Sequence, residues 1–384
     1  MKIIMLSTDR RIAEPGSAVR ARMEAYGDFL GELHIILFSP ASSSLKNPEK
    51  ISPKAWLYPT NSFSRWLYVR DAVWISRSIL NSFSRAERSE FVVSCQDPFE
   101  TGLVGKRLKR LFGIRLHIQV HTDIAASDFR KSFKNKARLI IARGVLAVAD
   151  RVRAVSKTAA LSLEKYYGVS ASRIDVLPIF VDVLAIKNGL EQSPDISLKY
   201  QQFEKKVLSV SRLEKEKDLD TFISVADILY KKDPSIGFII VGDGRDRTRL
   251  NRRVKLLGLE KNVVFAFWQN DPLPYFKMAD IFLLTSRYEG YGLALIEAAA
   301  AGLPIVTTRV GIASELFTSG QSALICNVAD AKCLAHSAGV LLNDQKMKAK
   351  LVAESSKLLS GFPAWEDYKK NYKDSLEKSF RQDL

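Results

Sequence analysis

Residues 281–308, with the sequence IFLLTSRYEGYGLALIEAAAAGLPIVTT, decide the fold of this chain. The apolar run at 281–286 predicts a buried strand, and a helix pattern follows at 293–301. Gly-Leu-Pro at 302–304 ends the helix, and a second strand follows at 305–308. A strand, a loop, a helix and a strand form a βαβ unit, which predicts a parallel α/β sheet. Ligands of such sheets bind beyond the carboxyl ends of the strands.

The loop of this unit, EGYG at 289–292, has the chemistry of an anion site. The backbone N–H groups that begin the helix have no partner inside it, and the helix dipole is positive there. Glycines allow close approach to the backbone, so a phosphate fits. Glu289 and Glu297 bracket the loop and can accept hydrogen bonds from sugar hydroxyls. Taken singly, each has a plainer explanation: Glu297 favours the helix dipole, and Glu289 is a solvated loop residue.

The nine residues EGYGLALIE, at 289–297, resemble the E-x7-E motif of the retaining glycosyltransferases of family 4, which have the GT-B fold. The alanine-rich helix and the GLPIV stretch at 302–306 also match. The resemblance implies two Rossmann-like, doubly wound α/β domains that face each other across a cleft. It also implies a retaining, metal-independent enzyme that needs no cofactor, because its nucleotide-sugar donor, such as a UDP- or GDP-sugar, is a substrate.

A second motif, VSRLEKEKD at 210–218, resembles the family's G-R-L-x-x-E-K-G segment. The resemblance places Arg212 at a strand end and Lys217 at the start of the next helix. Two cations there can stabilise the charge of a departing diphosphate without a metal ion. The alternative interpretation is a lysine-rich, solvated loop. Ser211 and Asp218 stand where the family usually has glycine.

Smaller motifs complete the predicted site. VGDG at 241–244 is a glycine turn of the family's G-x-G type, and it lacks the pattern of a dinucleotide fingerprint. The resemblance implies that the backbone near Phe267 meets the nucleotide base, while Trp268 either stacks on the base or simply packs. The predicted catalytic residues are Arg212, Lys217, Glu289 and His121, and the predicted donor-binding residues are Gly16, Gly242, Gly244, Phe267, Tyr291, Gly292, Leu293 and Glu297.

Two of these residues lie in the first half of the chain. Gly16 follows a predicted strand, where the family has a glycine-containing loop, but a plain turn residue explains it equally well. His121 ends the predicted strand at 115–121, and the family often has a histidine near the transferred sugar at this point. The alternative is a histidine that only caps the strand end.

A length of 384 residues predicts two domains. We predict an acceptor-side domain at 1–185, a linker at 186–204 that is rich in charges with Gly, Ser and Pro, and a donor-binding domain at 205–363. As in GT-B enzymes, the C-terminal helix 364–384 is expected to pack back onto the first domain. The predicted strands are 2–7, 34–39, 91–96, 115–121, 151–156 and 174–178, then 206–211, 237–241, 263–267, 281–286, 305–308 and 323–326.

The formal net charge of +16 implies a polyanionic partner: a nucleotide, an anionic membrane or nucleic acid. The stretch 129–148, basic and then apolar, predicts either a core helix with a solvated basic end or a helix that rests on anionic lipid. Trp66, Tyr68, Trp74 and Phe83 lie among arginines in residues 62–90, and aromatics at helical spacing are predicted to be core rather than interface residues. No helix-turn-helix, zinc module or aromatic RNA motif is present in the sequence, so nucleic acid is not expected as a partner.

Three cysteines, Cys95, Cys326 and Cys333, are few, odd in number and not in a metal spacing. Cys95 and Cys326 lie in strand patterns and are predicted to be buried free thiols, which indicates a reducing compartment.

No apolar run approaches the roughly 20 residues that span a bilayer, and residues 1–7 read as a strand rather than a signal-peptide core. The expected location is the cytoplasm, peripheral at the inner face of the cell membrane.

These features predict a glycosyltransferase that moves a sugar onto a glycan or lipid-linked acceptor in cell-envelope polysaccharide or glycolipid synthesis. A nucleotide-sugar epimerase or a glycosyl phosphorylase of the same fold is the alternative. A basic nucleic-acid-binding protein is a more remote one. Release of nucleoside diphosphate on adding an acceptor separates the transferase from the other enzymes.

Overall fold

The computed structural model describes residues 1–43 and 45–381, which form two compact units. The first unit contains Met1–Pro178 together with the described residues from Glu366 onward. The second unit contains Ile179–Trp365. Each unit has its own β-sheet and its own buried apolar core.

The first unit is built on a sheet that has eight strands within the described residues, in the order β3-β4-β2-β1-β5-β6-β7-β8. All neighbouring strands are parallel except the edge pair β3 and β4. This pair is absent from the predicted strands, although Ala55, Leu57 and Pro59 are buried at every second position of β4. The strands are β1 Lys2–Ser7, β2 Glu32–Leu37, β3 Glu49–Ser52, β4 Ala55–Pro59, β5 Phe91–Cys95, β6 Arg115–Val120, β7 Arg151–Ala154 and β8 Ile174–Val176.

Three helices of the first unit lie side by side on one face of its sheet. The helices of this unit, in chain order, are α1 Ala18–Leu30, α2 Tyr68–Asn81, α3 Arg85–Arg88, α4 Glu100–Phe112, α5 Ser127–Lys131, α6 Phe133–Leu146 and α7 Lys157–Tyr167. Helix α4 packs against α2 on one side and against α6 on the other. The connections that contain these helices all step across the sheet in the same direction, and right-handed crossovers put such helices on the same face.

The second unit has a fully parallel sheet, with six strands among the described residues, in the order β11-β10-β9-β12-β13-β14. Its strands are β9 Lys205–Val210, β10 Ile236–Val241, β11 Val263–Phe265, β12 Ile281–Leu284, β13 Ile305–Thr308 and β14 Leu324–Cys326. The chain builds outward from β9 in one direction and from β12 in the other. The strand order therefore reverses between β9 and β12, which is the point where ligands of such sheets bind.

Helices cover this second sheet. They are α8 Val183–Gln192, α9 Leu219–Tyr230, α10 Arg247–Leu256, α11 Leu273–Met278, α12 Leu293–Ala300, α13 Ala313–Leu316, α14 Ala331–Asn343 and α15 Gln345–Leu359. The segment 186–204, predicted as a linker, contains most of α8, which packs against α11 and α12. Short 3-10 helices occur at Arg10–Ala13, Ala41–Ser43, Arg65–Leu67, Ala171–Arg173, Ser197–Tyr200, Lys215–Lys217 and Lys378–Phe380.

The last α-helix, α16 Trp365–Glu377, is bound to the first sheet by buried polar groups. The amide of Gln119 donates a hydrogen bond to the hydroxyl of Tyr372 at 3.1 Å. The Nε2 atom of His117 lies 3.2 Å from the hydroxyl of Ser375. Both partners on the sheet belong to β6 and are buried. Satisfied hydrogen bonds of this kind fix the position of the helix, because a shift would leave buried polar groups unpaired.

The cysteine prediction is wrong for Cys326. Cys326 and Cys333 form a disulfide with a Cα–Cα distance of 6.0 Å. Cys326 ends β14 and Cys333 lies in the first turn of α14, so the disulfide joins the end of the strand to the start of the helix. Cys95 is free and buried, as predicted. The disulfide removes the argument that the cysteines indicate a reducing compartment.

The aromatic prediction is wrong for Trp66 and Trp74, whereas Tyr68 and Phe83 are half-buried and contact the rings of Phe38 and Phe91. Trp66 and Trp74 are 82% and 72% exposed, so they are surface residues of the α2 region and not part of the core.

The stretch 129–148 forms α6 and the end of α5, with Phe133 and Ile140 exposed on α6. None of the helices formed by residues 1–43 and 45–381 has both the length and the apolar character needed to cross a membrane.

Replacing His117 with glutamine is expected to make unfolding less sensitive to acid. Burial and the nearby guanidinium of Arg153 lower the pKa of His117 to about 3, while the pKa of an unperturbed histidine is about 6.5. The unfolded chain therefore binds the proton more readily. As the pH falls from about 6.5 to about 3, His117 therefore lowers the free energy of unfolding, by at most about 1.4 kcal/mol per pH unit. Urea unfolding measured at several pH values in this range gives the change in the free energy of unfolding per pH unit.

The matched control is His336→Gln, because His336 is exposed on α14. This variant should keep the pH slope of the parent protein. An H117Q variant with an unchanged slope would contradict the role assigned to the buried imidazole.

Candidate active site

The candidate site lies at the strand-order reversal of the second sheet. The loop after β9 carries Lys217, and the loop after β12 carries Glu289. Because β9 and β12 are parallel neighbours, both loops leave the same edge of the sheet. The two motifs that the sequence presents some 70 residues apart are therefore brought together by strand pairing.

Lys217 and Glu289 form a bidentate ion pair. The Nζ atom of Lys217 lies 2.7 Å and 2.8 Å from the two carboxylate oxygens of Glu289. Ser286 donates a further hydrogen bond to this carboxylate, at 2.7 Å. The two side chains are only 15% and 9% exposed, so solvent screens the pair weakly. The arrangement holds an ammonium group in a fixed position beside the loop that begins α12.

The backbone of the two loops is also joined. The hydroxyl of Thr285 donates to the carbonyl oxygens of Lys217 and Asp218, both at 3.1 Å. The N–H of Arg287 donates to the carbonyl oxygen of Glu216 at 2.8 Å. Asp218 has φ +47°, a left-handed conformation that favours glycine, and the aligned family motif has glycine at this position. Aspartate tolerates this conformation better than most residues do.

Arg212 does not join the ion pair. Its guanidinium lies 2.9 Å from Glu216, and its side chain is 63% exposed. The structure thus brings Lys217 into direct contact with Glu289, while Arg212 remains on the solvent side of the same loop.

The start of α12 has the geometry of an anion site. Gly292 caps the helix with φ +97°, a conformation that glycine adopts without strain. Tyr291 is buried, and its carbonyl oxygen accepts a hydrogen bond from the N–H of Ile312 at 2.8 Å. A Cβ on Gly311 would lie 2.6 Å from that same oxygen, so glycine is required there. Leu293, the first residue of the helix, is 37% exposed.

Glu297 lies in the second turn of α12. Burial raises the pKa of its carboxyl group. Within the described part of the chain, this carboxylate has neither an ion-pair partner nor a hydrogen-bond donor. A poorly solvated carboxylate without donors is costly for the folded protein, and a ligand with hydroxyl groups would supply the missing hydrogen bonds.

Gly242 and Gly244 have a structural reason to be glycine. A Cβ on Gly242 would lie 1.9 Å from the carbonyl oxygen of Ser211, and a Cβ on Gly244 would lie 2.4 Å from that of Leu213. The N–H of Gly242 also donates to the carbonyl oxygen of Phe267 at 2.7 Å. These two glycines let the loops after β9, β10 and β11 pack against one another.

An aromatic and a cation meet at the end of β11. The guanidinium of Arg247 lies 4.1 Å from the centre of the Phe267 ring, which is 48% exposed. Phe267 has φ +59°, an uncommon conformation for a bulky residue. Trp268 is 52% exposed and donates to Asn270. The sequence gave no signal for the contact between Arg247 and Phe267. The sequence analysis also did not name Ser286 as a site residue, although it lies three residues before Glu289.

Gly16 and His121 belong to the first unit. Gly16 has φ +81° and lies in open space in the loop before α1. His121 follows β6 and is half-buried. Burial and the guanidinium of Arg153 lower the pKa of His121 to about 3, so this imidazole is neutral at physiological pH.

No cluster of three or more His, Cys, Asp or Glu side chains that could hold a metal ion occurs among residues 1–43 and 45–381.

The fold matches solved GT-B glycosyltransferases. One of them is HepE of Anabaena, solved in complex with UDP and glucose, with a TM-score of 0.76 at 18% identity over 98% of this chain and 99% of that one. The GT-B class predicted from the sequence, with two parallel α/β domains, is thereby confirmed.

The family is shown by two matches that follow each other along the chain. Residues 31–183 match the model for Glycosyltransferase Family 4, and residues 195–358 match the model for Glycosyl transferases group 1. The chain therefore belongs to the glycosyltransferases of family 4, and the family predicted from the sequence is confirmed.

Curated relatives share parts of this sequence. A 2-deoxystreptamine N-acetyl-D-glucosaminyltransferase of Niallia circulans is 36% identical over 159 residues, which is 41% of this chain and 39% of the relative. A lipopolysaccharide core biosynthesis glycosyltransferase, LpsE of Rhizobium meliloti, is 28% identical over 155 residues, or 40% and 44% of the two chains. The match thus spans less than half the length of either relative.

Replacing Lys217 with alanine is expected to destabilise the second unit by about 2–4 kcal/mol, because it leaves the Glu289 carboxylate buried without its cation. Replacing Arg212 with alanine is the matched control. It removes an exposed ion pair, which is worth about 0.5 kcal/mol or less. Denaturant unfolding of both variants gives the comparison. Adding Glu289→Gln to the Lys217→Ala variant should restore part of the loss, and equal effects of K217A and R212A would refute this ranking.

Replacing Gly242 with alanine is expected to displace the loop after β9, because the added Cβ has no room beside Ser211. Gly258→Ala is the control, since Gly258 has φ +68° with open space around it. That variant should cost only the strain of the left-handed conformation, about 1 kcal/mol. Thermal unfolding of the two variants should rank G242A clearly below G258A, and a reversed order would show that the loops can separate freely.

Proposed function

We propose that this chain is a glycosyltransferase that moves a sugar from a nucleotide-sugar donor to a glycan or lipid-linked acceptor with retained anomeric configuration. The reaction would serve cell-envelope polysaccharide or glycolipid synthesis. The observation that carries the proposal is the bidentate pair of Lys217 and Glu289, held at the strand-order reversal beside the N-terminus of α12.

The proposed role of this group is to hold the donor diphosphate and stabilise its departure. The free N–H groups at the start of α12 and the ammonium of Lys217 would face the phosphates. Lys217 has three donors, so it can keep a bond to Glu289 while it binds a phosphate oxygen. Arg212, with its exposed guanidinium, would supply the second cation once a polyanion is present. Glu289 would also accept hydrogen bonds from the hydroxyls of the transferred sugar.

The nucleoside part of the donor has its own proposed contacts. Glu297 would accept hydrogen bonds from the vicinal ribose hydroxyls, which its unpartnered carboxylate supports. The backbone from Gly242 to Gly244 and the residue Phe267 would meet the base and the adjoining groups. Tyr291, Gly292 and Leu293 would line the approach to the diphosphate. The exposed face of Phe267 supports a stacking contact.

The first domain would bind the acceptor, and the second would bind the donor. His121 and Gly16 would contribute binding contacts from the first domain. Because the His121 imidazole is neutral, it would act as a hydrogen-bonding group rather than as a cation. No protein nucleophile is assigned to the reaction.

Two of the similar proteins support a more specific version of the proposal. HepE was solved with UDP and glucose, which favours a UDP-sugar as donor. The Rhizobium meliloti relative is a lipopolysaccharide core glycosyltransferase, which favours an envelope acceptor. The net charge of +16 supports a cytoplasmic enzyme that works peripherally at the inner face of an anionic membrane.

The test is to incubate the purified protein with a panel of UDP- and GDP-sugars, with and without a chelator, and to measure slow donor hydrolysis. We expect hydrolysis of one donor, unchanged by the chelator. K217A and E289Q should lower the rate by about a hundredfold or more. Glu297→Gln should mainly raise the KM for the donor, because its contact is remote from the bond that breaks.

The control variant is Lys357→Gln, on the exposed surface of α15, which should leave the rate unchanged. Release of nucleoside diphosphate that rises with added acceptor separates a transferase from an epimerase or a phosphorylase. An intact rate in K217A, or the lack of any donor binding, would contradict the proposal.

A further inference from the structure

The helical layer of α2, α4 and α6 exposes an aromatic and basic surface. Trp66, just before α2, and Trp74, within it, are 82% and 72% exposed, and Phe63 is 92% exposed. Arg70 and Arg77 are exposed four residues before and three residues after Trp74. At these spacings the two arginines and Trp74 share one face of α2, and Trp66 lies in the 3-10 turn that precedes it.

The neighbouring helices continue this surface. On α4, Arg107, Arg110 and Leu111 are exposed. On α6, Phe133 and Ile140 are 88% and 78% exposed, with Lys136 and Arg143 exposed between and beyond them. Each helix buries the side opposite to these residues: α2 and α4 pack against strands of the sheet, and α6 packs against α4. We call these exposed side chains, with those of Phe63 and Trp66, the α2–α4–α6 face.

Acidic groups hardly offset the charge of this face. The three helices contain only Asp71 and Glu100 as acidic residues, and all their residues are described. Asp71 lies 2.8 Å from Arg70, and Glu100 lies 2.9 Å from Arg138. Both carboxylates are thus already paired, and the remaining cations of the face are left for an external anion.

Exposed large aromatics on this scale indicate a binding surface, because a folded chain gains nothing by leaving them in water. Because the same surface also carries arginine and lysine side chains, fewer classes of binding partner fit it. A neutral glycan would use the rings but not the charges. A second copy of the same face would bring cations against cations. An anionic bilayer uses both, since indole rings favour the headgroup region and basic side chains pair with lipid phosphates.

We propose that the α2–α4–α6 face docks on an anionic bilayer surface, with Trp66 and Trp74 inserted at the headgroup level. This inference deepens the membrane contact of the proposed function and rests on it for its biological setting. It moves the proposed anchor from the stretch 129–148 alone to a surface that includes Trp74 of α2 and Trp66 just before α2. The docking itself involves no transferase chemistry, so it can be tested separately.

The experiment is sedimentation of the full chain with phosphatidylcholine vesicles, with or without phosphatidylglycerol. We expect binding only with phosphatidylglycerol, and weaker binding as salt is added. The Trp66→Ala/Trp74→Ala double variant should bind about tenfold more weakly, because it loses the apolar area that enters the interface. The matched control, Leu198→Ala/Leu256→Ala, removes side chains of the second unit that are 78% and 86% exposed, and it should bind as the parent does.

A second pair of variants tests the charges. Arg77→Gln/Arg143→Gln should bind about tenfold more weakly and show a shallower salt dependence, while Lys231→Gln/Lys357→Gln, exposed in the second unit, should not. All the changed side chains are on the surface, and circular dichroism verifies that each variant is folded.

Equal binding to both kinds of vesicle, or parent-like binding by W66A/W74A, would overturn the proposal. So would salt-sensitive binding to duplex DNA that is tighter than binding to the vesicles, or self-association that W66A/W74A abolishes in a chain that binds no lipid. Donor hydrolysis measured without vesicles keeps the two proposals apart. If W66A/W74A hydrolyses the donor but does not sediment, both stand; if the parent sediments but hydrolyses no donor, only the docking stands.

Discussion

The ion pair between Lys217 and Glu289 is the interaction on which the rest of the candidate site depends. It crosses the strand-order reversal, because Lys217 follows β9 and Glu289 follows β12. Its low exposure means that neither charge is well solvated, so each needs the other in the absence of a ligand. A polyanion that reaches the start of α12 would meet a cation already held in place. Such preorganisation avoids the cost of orienting the charge when the ligand binds.

The close packing of the loops around this pair is a second constraint, and glycines make it achievable. The loop after β10 lies so close to the loop after β9 that only a residue without a side chain fits at Gly242. The same holds at Gly311, which lies against the carbonyl oxygen of Tyr291. The glycines that look like ligand-binding positions in the sequence therefore also serve the contacts of the chain with itself. A mutation there changes the loop geometry before it changes any contact with a ligand.

Charge is distributed unevenly between these features. Around the ion pair, cations and carboxylates are closely matched, and Arg212 is held by Glu216. On the α2–α4–α6 face, the basic side chains outnumber the two acidic ones, which are already paired. The excess of positive charge therefore lies on surfaces such as the α2–α4–α6 face and not around the ion pair, where each cation has a carboxylate partner.

The sequence by itself determined the strands and helices of the βαβ units, since their apolar periods and glycine turns are local signals. It also identified Lys217 and Glu289 as candidates through the family motif. It did not reveal the edge strand β4, the disulfide of Cys326 and Cys333, or the stacking of Arg247 on Phe267. It predicted Trp66 and Trp74 to be core residues, whereas both are exposed in the structure. Helical spacing shows that side chains share a face, but only the packing of the neighbouring elements decides whether that face meets the core or the solvent.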